Sequence, residues 1–228
     1  GHVVLCELVW VLEVAYRRPV DVEFLALLDE SDRDIPEPTV FLLQCRPQSR
    51  MELERVELPT NIPEERRLFL SRRLVPDGRV TNVRYFVYIS PYAYREIVRE
   101  EDRPALARLV GRINARLAGE AFILVGPGRW GSHNPGLGIP VGYGDIYHAR
   151  ALVEVVPDSR APEPSYGTHF FQDLVEAKIF PLAVALEDSG DEFNRQFFDG
   201  SENSLAELLP DDAKWEDLVR VIDVPSVA

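Results

Sequence analysis

Cysteine is scarce in this chain, which has only Cys6 and Cys45 among its 228 residues. Two thiols so far apart in sequence form neither a disulfide framework nor the clustered ligands of a zinc site. Both lie in segments with an apolar pattern, and we expect both to be buried. The scarcity favours a reducing, cytoplasmic setting.

Basic residues are few relative to acidic ones, and long apolar runs are lacking. The formal net charge is -13, because Lys and Arg number 25 against 38 Asp and Glu. A surface of this charge repels nucleic acid and anionic lipid, so any bound phosphate must be met locally by a few Arg side chains or backbone N–H groups. No apolar run reaches the roughly 18 residues of a membrane span. Glu7 and Glu13 interrupt the first such run, so we expect no signal peptide here.

Hydrophobic residues make up 46% of the chain, which is enough for a substantial core. Helices and strands alternate in its pattern, so we predict a mixed α/β fold. Helical spacing predicts helices at residues 5–17, 63–74, 91–98, 103–118, 168–178 and 192–198, with a helical turn at 145–149. Strand patterns predict strands at 20–24, 39–45, 80–89, 122–125, 152–156, 179–186 and 218–224.

The first two strands predict an antiparallel hairpin with polar residues on one face. Side chains two apart along a strand share a face, so Asp21 and Glu23 lie together, as do Gln44 and Arg46. Carboxylate and amide oxygens suit Mg²⁺, and a guanidinium can grip phosphate oxygens with two hydrogen bonds. Spacing alone also fits an ordinary strand face in contact with solvent, and it favours that simpler interpretation.

The two strands, PVDVEF and LLQCRP, resemble the end of the nucleotide-binding domain of phosphoenolpyruvate synthase and pyruvate, phosphate dikinase. That domain is similar to the ATP-grasp fold. The resemblance implies that Glu23 and Gln44 bind the Mg²⁺ that accompanies ATP. It also implies that Arg46 contacts the transferred phosphate. It covers about the first fifth of the chain, and the loop between the strands is longer and more acidic than is usual for the family.

Much of that nucleotide domain has no counterpart in this sequence. The Gly-rich loop and the Lys that would hold the triphosphate are missing, as is the Thr-Ser-His-Ala-type motif of the phosphohistidine domain. The chain also begins inside a helical pattern with no capping residue. We therefore expect a fragment of a larger ATP-dependent phosphotransferase, inactive alone, whose partners include the upstream domain of the same protein.

A glycine-rich segment, GPGRWGS, follows the strand predicted at residues 122–125. Gly126, Gly128 and Gly131 let the backbone approach a ligand closely, and successive N–H groups can cradle an anion. Arg129 and Ser132 would add side-chain donors, and Trp130 can stack on a base. The segment fits equally well as a structural turn, with Trp130 in the core and Arg129 in an ion pair.

The segment PSYGTHFFQDL places Thr168 and His169 at the start of a predicted helix. Thr168 or Ser165 would cap this helix, and helix N-termini attract anions. His169 would then carry protons, bind phosphate or accept a phosphoryl group. A histidine that hydrogen-bonds locally and packs beside Phe170 fits the same pattern and is the favoured interpretation for a lone histidine.

GPGRWGS, GIPVGYGDI and SYGTHFFQDL together look like a C-terminal extension found in bacterial and archaeal proteins with a phosphoenolpyruvate/pyruvate-binding domain. This second resemblance assigns no catalytic role. Because α/β folds gather ligands at strand ends and helix starts, we expect Gly126, Arg129, Asp145, Thr168 and His169 to converge on one anion pocket.

These patterns divide the chain into three parts. Residues 1–50 would end an ATP-grasp-like domain, residues 51–78 would form a linker, and residues 79–228 would form a mixed-sheet α/β domain. The leading hypothesis is a phosphotransferase part that uses Mg²⁺ and ATP and binds a nucleotide or another phosphate ligand. The alternative is a non-catalytic module for ligand sensing or assembly, and the sequence leaves homo-oligomerisation open.

Overall fold

The computed structural model describes residues 2–28, 38–47, 56–57, 59, 61–72, 78–132, 138–157, 169–186 and 190–227. The chain is mixed α+β and contains several separate sheets. It divides into two compact units, Gly1–Arg50 and Met51–Ala228. Residues 61–72, which lie in the segment predicted as a linker at residues 51–78, are grouped with the second unit.

The first unit contains a helix followed by an antiparallel hairpin, as expected. Helix α1 spans His2–Tyr16, and strands β1 and β2 span Val20–Leu28 and Pro38–Pro47. The helix ends at Arg17, whose φ of 55° leaves the helical region. The expected burial of the cysteines is wrong, because Cys6 is exposed on α1 and Cys45 is only half-buried on β2.

The second unit is built on a five-stranded sheet. Strands β4, β5, β8 and β9 are parallel neighbours in that order, and β11 pairs antiparallel with the outer edge of β4. Parallel strands end at the same edge of a sheet, so the segments that follow these four strands gather there. The strands are β4 (Tyr85–Ile89), β5 (Phe122–Pro127), β8 (Ala151–Val156), β9 (Phe180–Ala185) and β11 (Val219–Asp223).

Apolar side chains leave this sheet on both faces, which explains why β5 and β8 are buried along their whole length. One face, which includes Val87, Leu124 and Leu152, packs against the inner sides of α2, α3 and α4. The opposite face, which includes Tyr88, packs against α5. The helices are α2 (Pro91–Ile97), α3 (Arg103–Arg116), α4 (His169–Glu176), α5 (Arg195–Gly200), α6 (Leu205–Leu208) and α7 (Val224–Val227).

Local capping residues explain where these helices begin and end. Ser90 caps α2 by accepting a hydrogen bond from the Ala93 N–H, with Pro91 in the first turn. Helix α3 is followed by Gly119, whose φ of 93° suits glycine and reverses the chain towards β5. Asn194 caps α5 by accepting from the Phe197 N–H at 2.9 Å.

Three predicted elements differ from the observed ones, and in two of them long-range strand pairing overrides the local pattern. The helix expected at residues 63–74 is one 3-10 turn, Glu64–Arg66, followed by strand β3 (Phe69–Leu70). Strand β3 pairs with β10 (Glu192–Phe193), so the helix expected at 192–198 begins only at Arg195. The strand expected at 80–89 is confined to β4, because Asn82 has a φ of 56°.

Further short elements complete the unit. Strands β6 (Arg129–Trp130) and β7 (Gly138–Ile139) pair in parallel. The helical turn expected at residues 145–149 is a 3-10 turn at Tyr143–Asp145. Other 3-10 segments cover Glu100–Asp102 and Pro210–Trp215. Among the described residues, no helix has the length and apolar character needed to cross a membrane.

Candidate functional site

The hairpin of the first unit brings its polar residues together on one face. In the strand register Asp21 lies opposite Arg46, and Glu23 lies opposite Gln44. Directly opposite residues of an antiparallel pair share a face, with Cβ atoms about 5 Å apart. The four side chains therefore form one polar quartet, of which Glu23 and Arg46 are exposed and Asp21 and Gln44 are half-buried.

Within this quartet, Gln44 and Arg46 are joined by hydrogen bonds. With its amide oxygen turned towards Arg46, Gln44 accepts from the guanidinium Nε and from a terminal nitrogen at 3.1 Å. Asp21 and Glu23 also take part in polar interactions. The quartet is thus an organised set of two carboxylates, one amide and one guanidinium.

A β-bulge follows the quartet directly. Glu23 faces Gln44, but the next pair is Phe24 with Leu42, so Leu43 is the extra residue on β2. Bulges bend a strand and re-aim its side chains, and they occur often beside functional sites. The sequence pattern did not predict the bulge, because an alternating strand pattern does not show which residue is skipped.

The GPGRWGS segment begins with the last two residues of β5, at the carboxyl edge of the five-stranded sheet. Its glycines permit close packing, because a Cβ on Gly126 would lie 2.5 Å from Trp130 Cζ2, and one on Gly131 would lie 2.5 Å from the ring of Phe170. The indole ring of Trp130 is buried in the core, as the structural interpretation of this segment expects. The contact with Phe170 brings the loop beside the start of α4.

The backbone N–H groups of this loop already have acceptors within the protein. Gly128 donates to the Val155 carbonyl at 3.2 Å, and Gly131 donates to the Ile139 carbonyl at 2.9 Å. Trp130 donates its backbone N–H to Glu154 Oε1 at 3.2 Å. These amides therefore do not cradle an anion in the observed conformation, and an anion here would have to be held by side chains.

Glu154 is a residue that the sequence analysis missed. It is 5% exposed, lies on the interior strand β8 and pairs with Gly126 in the register with β5. A buried carboxylate needs polar partners, and the Trp130 N–H supplies one. The available signal was a single acid inside the otherwise apolar strand ALVEVV.

The other predicted site residues are only partly brought together. His169 is the first residue of α4, next to Phe170, whereas Thr168 lies outside the described residues. Ser132 and Arg129 are half-buried, and both take part in polar interactions. Asp145 instead serves its own turn by accepting from the Gly142 N–H at 2.8 Å, and its carboxylate lies against Gly111 of α3.

In the described part of the chain, no three His, Cys, Asp or Glu side chains are grouped so that they could hold a metal ion. No protein family, curated protein or solved structure matches the chain.

Proposed function

We propose that the hairpin is the edge of a Mg-ATP site that contacts the metal and the phosphate, in an ATP-dependent phosphotransferase of the phosphoenolpyruvate synthase and pyruvate, phosphate dikinase type. The first unit would then be the end of an ATP-grasp-like domain. The observation that carries the proposal is the register that sets Glu23 opposite Gln44 and Asp21 opposite Arg46.

The donor atoms of this face fit magnesium. Glu23 supplies carboxylate oxygens and Gln44 an amide oxygen, and both are hard ligands of the kind Mg²⁺ prefers. Magnesium usually keeps several waters and takes the rest of its ligands from substrate phosphates, so two protein oxygens are enough. Bound there with ATP, the ion would neutralise charge on the phosphates.

Arg46 would contact the phosphate itself. Its guanidinium now donates to the amide oxygen of Gln44. Turning towards a phosphate would give it two charge-assisted hydrogen bonds and would release the Gln44 oxygen for the metal. Arg46 is exposed, so its side chain has room for this change.

The surface of the first unit supports its place in a larger domain. Large apolar side chains are exposed on both its helix and its hairpin, and exposed apolar patches of this kind mark surfaces that pack against other protein. They are Trp10, Val11, Val14, Tyr16, Phe24, Leu25, Leu27, Phe41, Leu42 and Leu43. In the proposed enzyme, the remainder of the nucleotide domain would cover part of this surface.

A second candidate function concerns the second unit alone. Because the amides of the GPGRWGS loop donate within the protein, the loop holds strand ends together as a structural element would. This observation favours a non-catalytic module for ligand sensing or assembly over a second phosphate site at Arg129 and His169.

Calorimetric titration with Mg-ATP tests the hairpin. The proposed phosphotransferase, of which this chain would be one part, is compared with its Glu23→Gln and Arg46→Ala variants. We expect each variant to bind roughly 10- to 100-fold more weakly, because each loses a direct contact to metal or phosphate. The chain of residues 1–228 alone is expected to bind weakly, since it lacks the triphosphate loop.

Glu7→Gln and Arg18→Ala are matched controls, because both residues are exposed charges on or just after α1 rather than on the polar face. They should bind Mg-ATP like the wild type. Unchanged affinity in both Glu23→Gln and Arg46→Ala would refute the proposed role of the hairpin.

A further inference from the structure

A cavity of about 390 Å³ lies where β4 ends and β11 begins. Tyr88 and Ser90 line it from the end of β4, and Leu218 and Arg220 line it from the start of β11. This is the carboxyl edge of the parallel strands, where α/β sheets commonly bind ligands. Its volume is within the range of small-molecule pockets.

One wall of the cavity is a fixed polar network. Tyr88 donates its hydroxyl to Asp199 Oδ1 at 3.0 Å, and Arg195 Nε donates to Asp199 Oδ2 at 2.7 Å. The Arg195 guanidinium also stacks over the Tyr92 ring, 3.9 Å from its centroid. The charges of Arg195 and Asp199 therefore balance each other, and neither needs a ligand for charge neutralisation.

The remaining charge in the lining is mainly negative. Glu96, Glu216 and Asp217 line the cavity, and in the described part of the chain none of these carboxylates forms an ion pair with a base. Arg220 is the base that remains, and one of its terminal nitrogens donates to the Ser201 carbonyl at 2.6 Å. With Arg195 and Asp199 balanced, three carboxylates face one guanidinium, which favours a cationic occupant.

We propose that this cavity binds a small organic amine with more than one ammonium group. A bare metal ion is disfavoured, because the carboxylates do not converge as a metal-binding group among the described residues. Separate ammonium groups along one molecule match carboxylates that are spread over α2 and the turn before β11. Tyr92 also lines the cavity and is half-buried, and its ring suits the apolar carbons between the charges.

Calorimetric titration of the full chain with spermidine tests this site, at about 0.15 M salt to screen diffuse attraction. We expect saturable binding that Asp217→Asn weakens about tenfold through loss of a charge-assisted hydrogen bond. Asp217 is exposed, so the variant should fold normally. The matched control is Asp211→Asn, an exposed acid on the preceding 3-10 segment that does not line the cavity.

Other results of the same titrations would overturn the proposal. They are an absence of spermidine binding, equal weakening by Asp211→Asn, or equally tight binding of an uncharged diol of the same length. Displacement of spermidine by Mg²⁺ at equal concentration would identify a metal site instead. Binding of inorganic phosphate that Arg220→Gln abolishes would identify an anion site.

Discussion

At the residue scale, Gly126 is a position where packing forbids a side chain. A Cβ there would lie 2.5 Å from Trp130 Cζ2, and the indole ring is 1% exposed in the core, so neither partner can move cheaply. We expect Gly126→Ala to lower the free energy of unfolding by about 1–3 kcal/mol. In thermal unfolding this corresponds to roughly 2–4 °C for each kcal/mol.

Gly200→Ala is the control for this prediction, because a Cβ on Gly200 meets no atom within 4 Å. Its melting temperature should equal or slightly exceed that of the wild type. A Gly126→Ala protein as stable as the Gly200→Ala protein would show that the loop is loosely packed.

Tyr88 makes stability depend on pH in the alkaline range. Burial, and then the neighbouring Asp199, raise the pKa of Tyr88 well above its ordinary value of 10.0. Above about pH 10 the unfolded chain loses this proton while the folded chain keeps it, so the free energy of unfolding falls as pH rises. Below about pH 10 both states are protonated, and the contribution is fully present.

Urea unfolding between about pH 8 and pH 11 checks this prediction. The free energy of unfolding of Tyr88→Phe should fall less steeply across that window than that of the wild type. Some loss should remain, because burial also raises the pKa of Tyr94. Tyr147→Phe, with an exposed ring, should follow the wild type. If the free energy of unfolding fell equally steeply with pH in the wild type and in Tyr88→Phe, Tyr88 would not be the source of this pH dependence.

Single residues were only partly predictable from the sequence. The shared face of Asp21 with Glu23, and of Gln44 with Arg46, followed from a period of two along each strand, which is a local property. The register that sets Glu23 opposite Gln44 did not follow from it. The sequence did not predict that Glu154 is buried. It also did not predict that the backbone N–H groups of Gly128 and Gly131 donate hydrogen bonds within the protein. Those contacts depend on which strands become neighbours, and the glycine-rich loop alone does not specify that.

At the scale of elements, Asn203 joins the segment before α6 to the edge strand β11. Its Nδ2 donates to the Val219 carbonyl at 3.0 Å, and its Oδ1 accepts from the N–H groups of Leu205 and Val221 at 3.0 and 2.9 Å. We expect Asn203→Ala to lower the free energy of unfolding by about 1–3 kcal/mol, because the backbone N–H groups of Leu205 and Val221 lose their acceptor.

Native-state hydrogen exchange measures this directly at the Val221 amide, which should exchange faster in Asn203→Ala than in the wild type. Gln196→Ala, at an exposed position of α5, is the control and should leave this amide protected. Unchanged protection of Val221 in Asn203→Ala would mean that another group holds the edge of β11.

Helices and strands were best predicted where apolar residues recur at a single regular spacing. Helix α3 follows from Leu106, Val110 and Ile113 on one face, and all three are buried. The helix predictions for residues 63–74 and 192–198 were inaccurate, because β3 and β10 pair although they lie more than a hundred residues apart in sequence. A local window contains no information about such a distant partner, so helical spacing was misleading there.

At the scale of the whole molecule, alternation of helices and strands was sufficient to predict a mixed fold. The order of the sheet was not, because β11 comes last in sequence and yet pairs with β4, the first strand of the sheet. The cavity beside this pair draws its lining from residues 88–96, 195–199 and 216–220. No local motif marks such a site, whereas the hairpin face is contained in two adjacent strands.

The proposed Mg-ATP role of the hairpin is tested most directly by ATP turnover in the proposed phosphotransferase, of which this chain would be one part. With Arg46→Ala we predict a fall in kcat of roughly 100- to 1,000-fold, because a positioned charge on the transferred phosphate is lost. Arg18→Ala should leave turnover unchanged. A turnover rate for Arg46→Ala within about twofold of the wild type would contradict the proposed function.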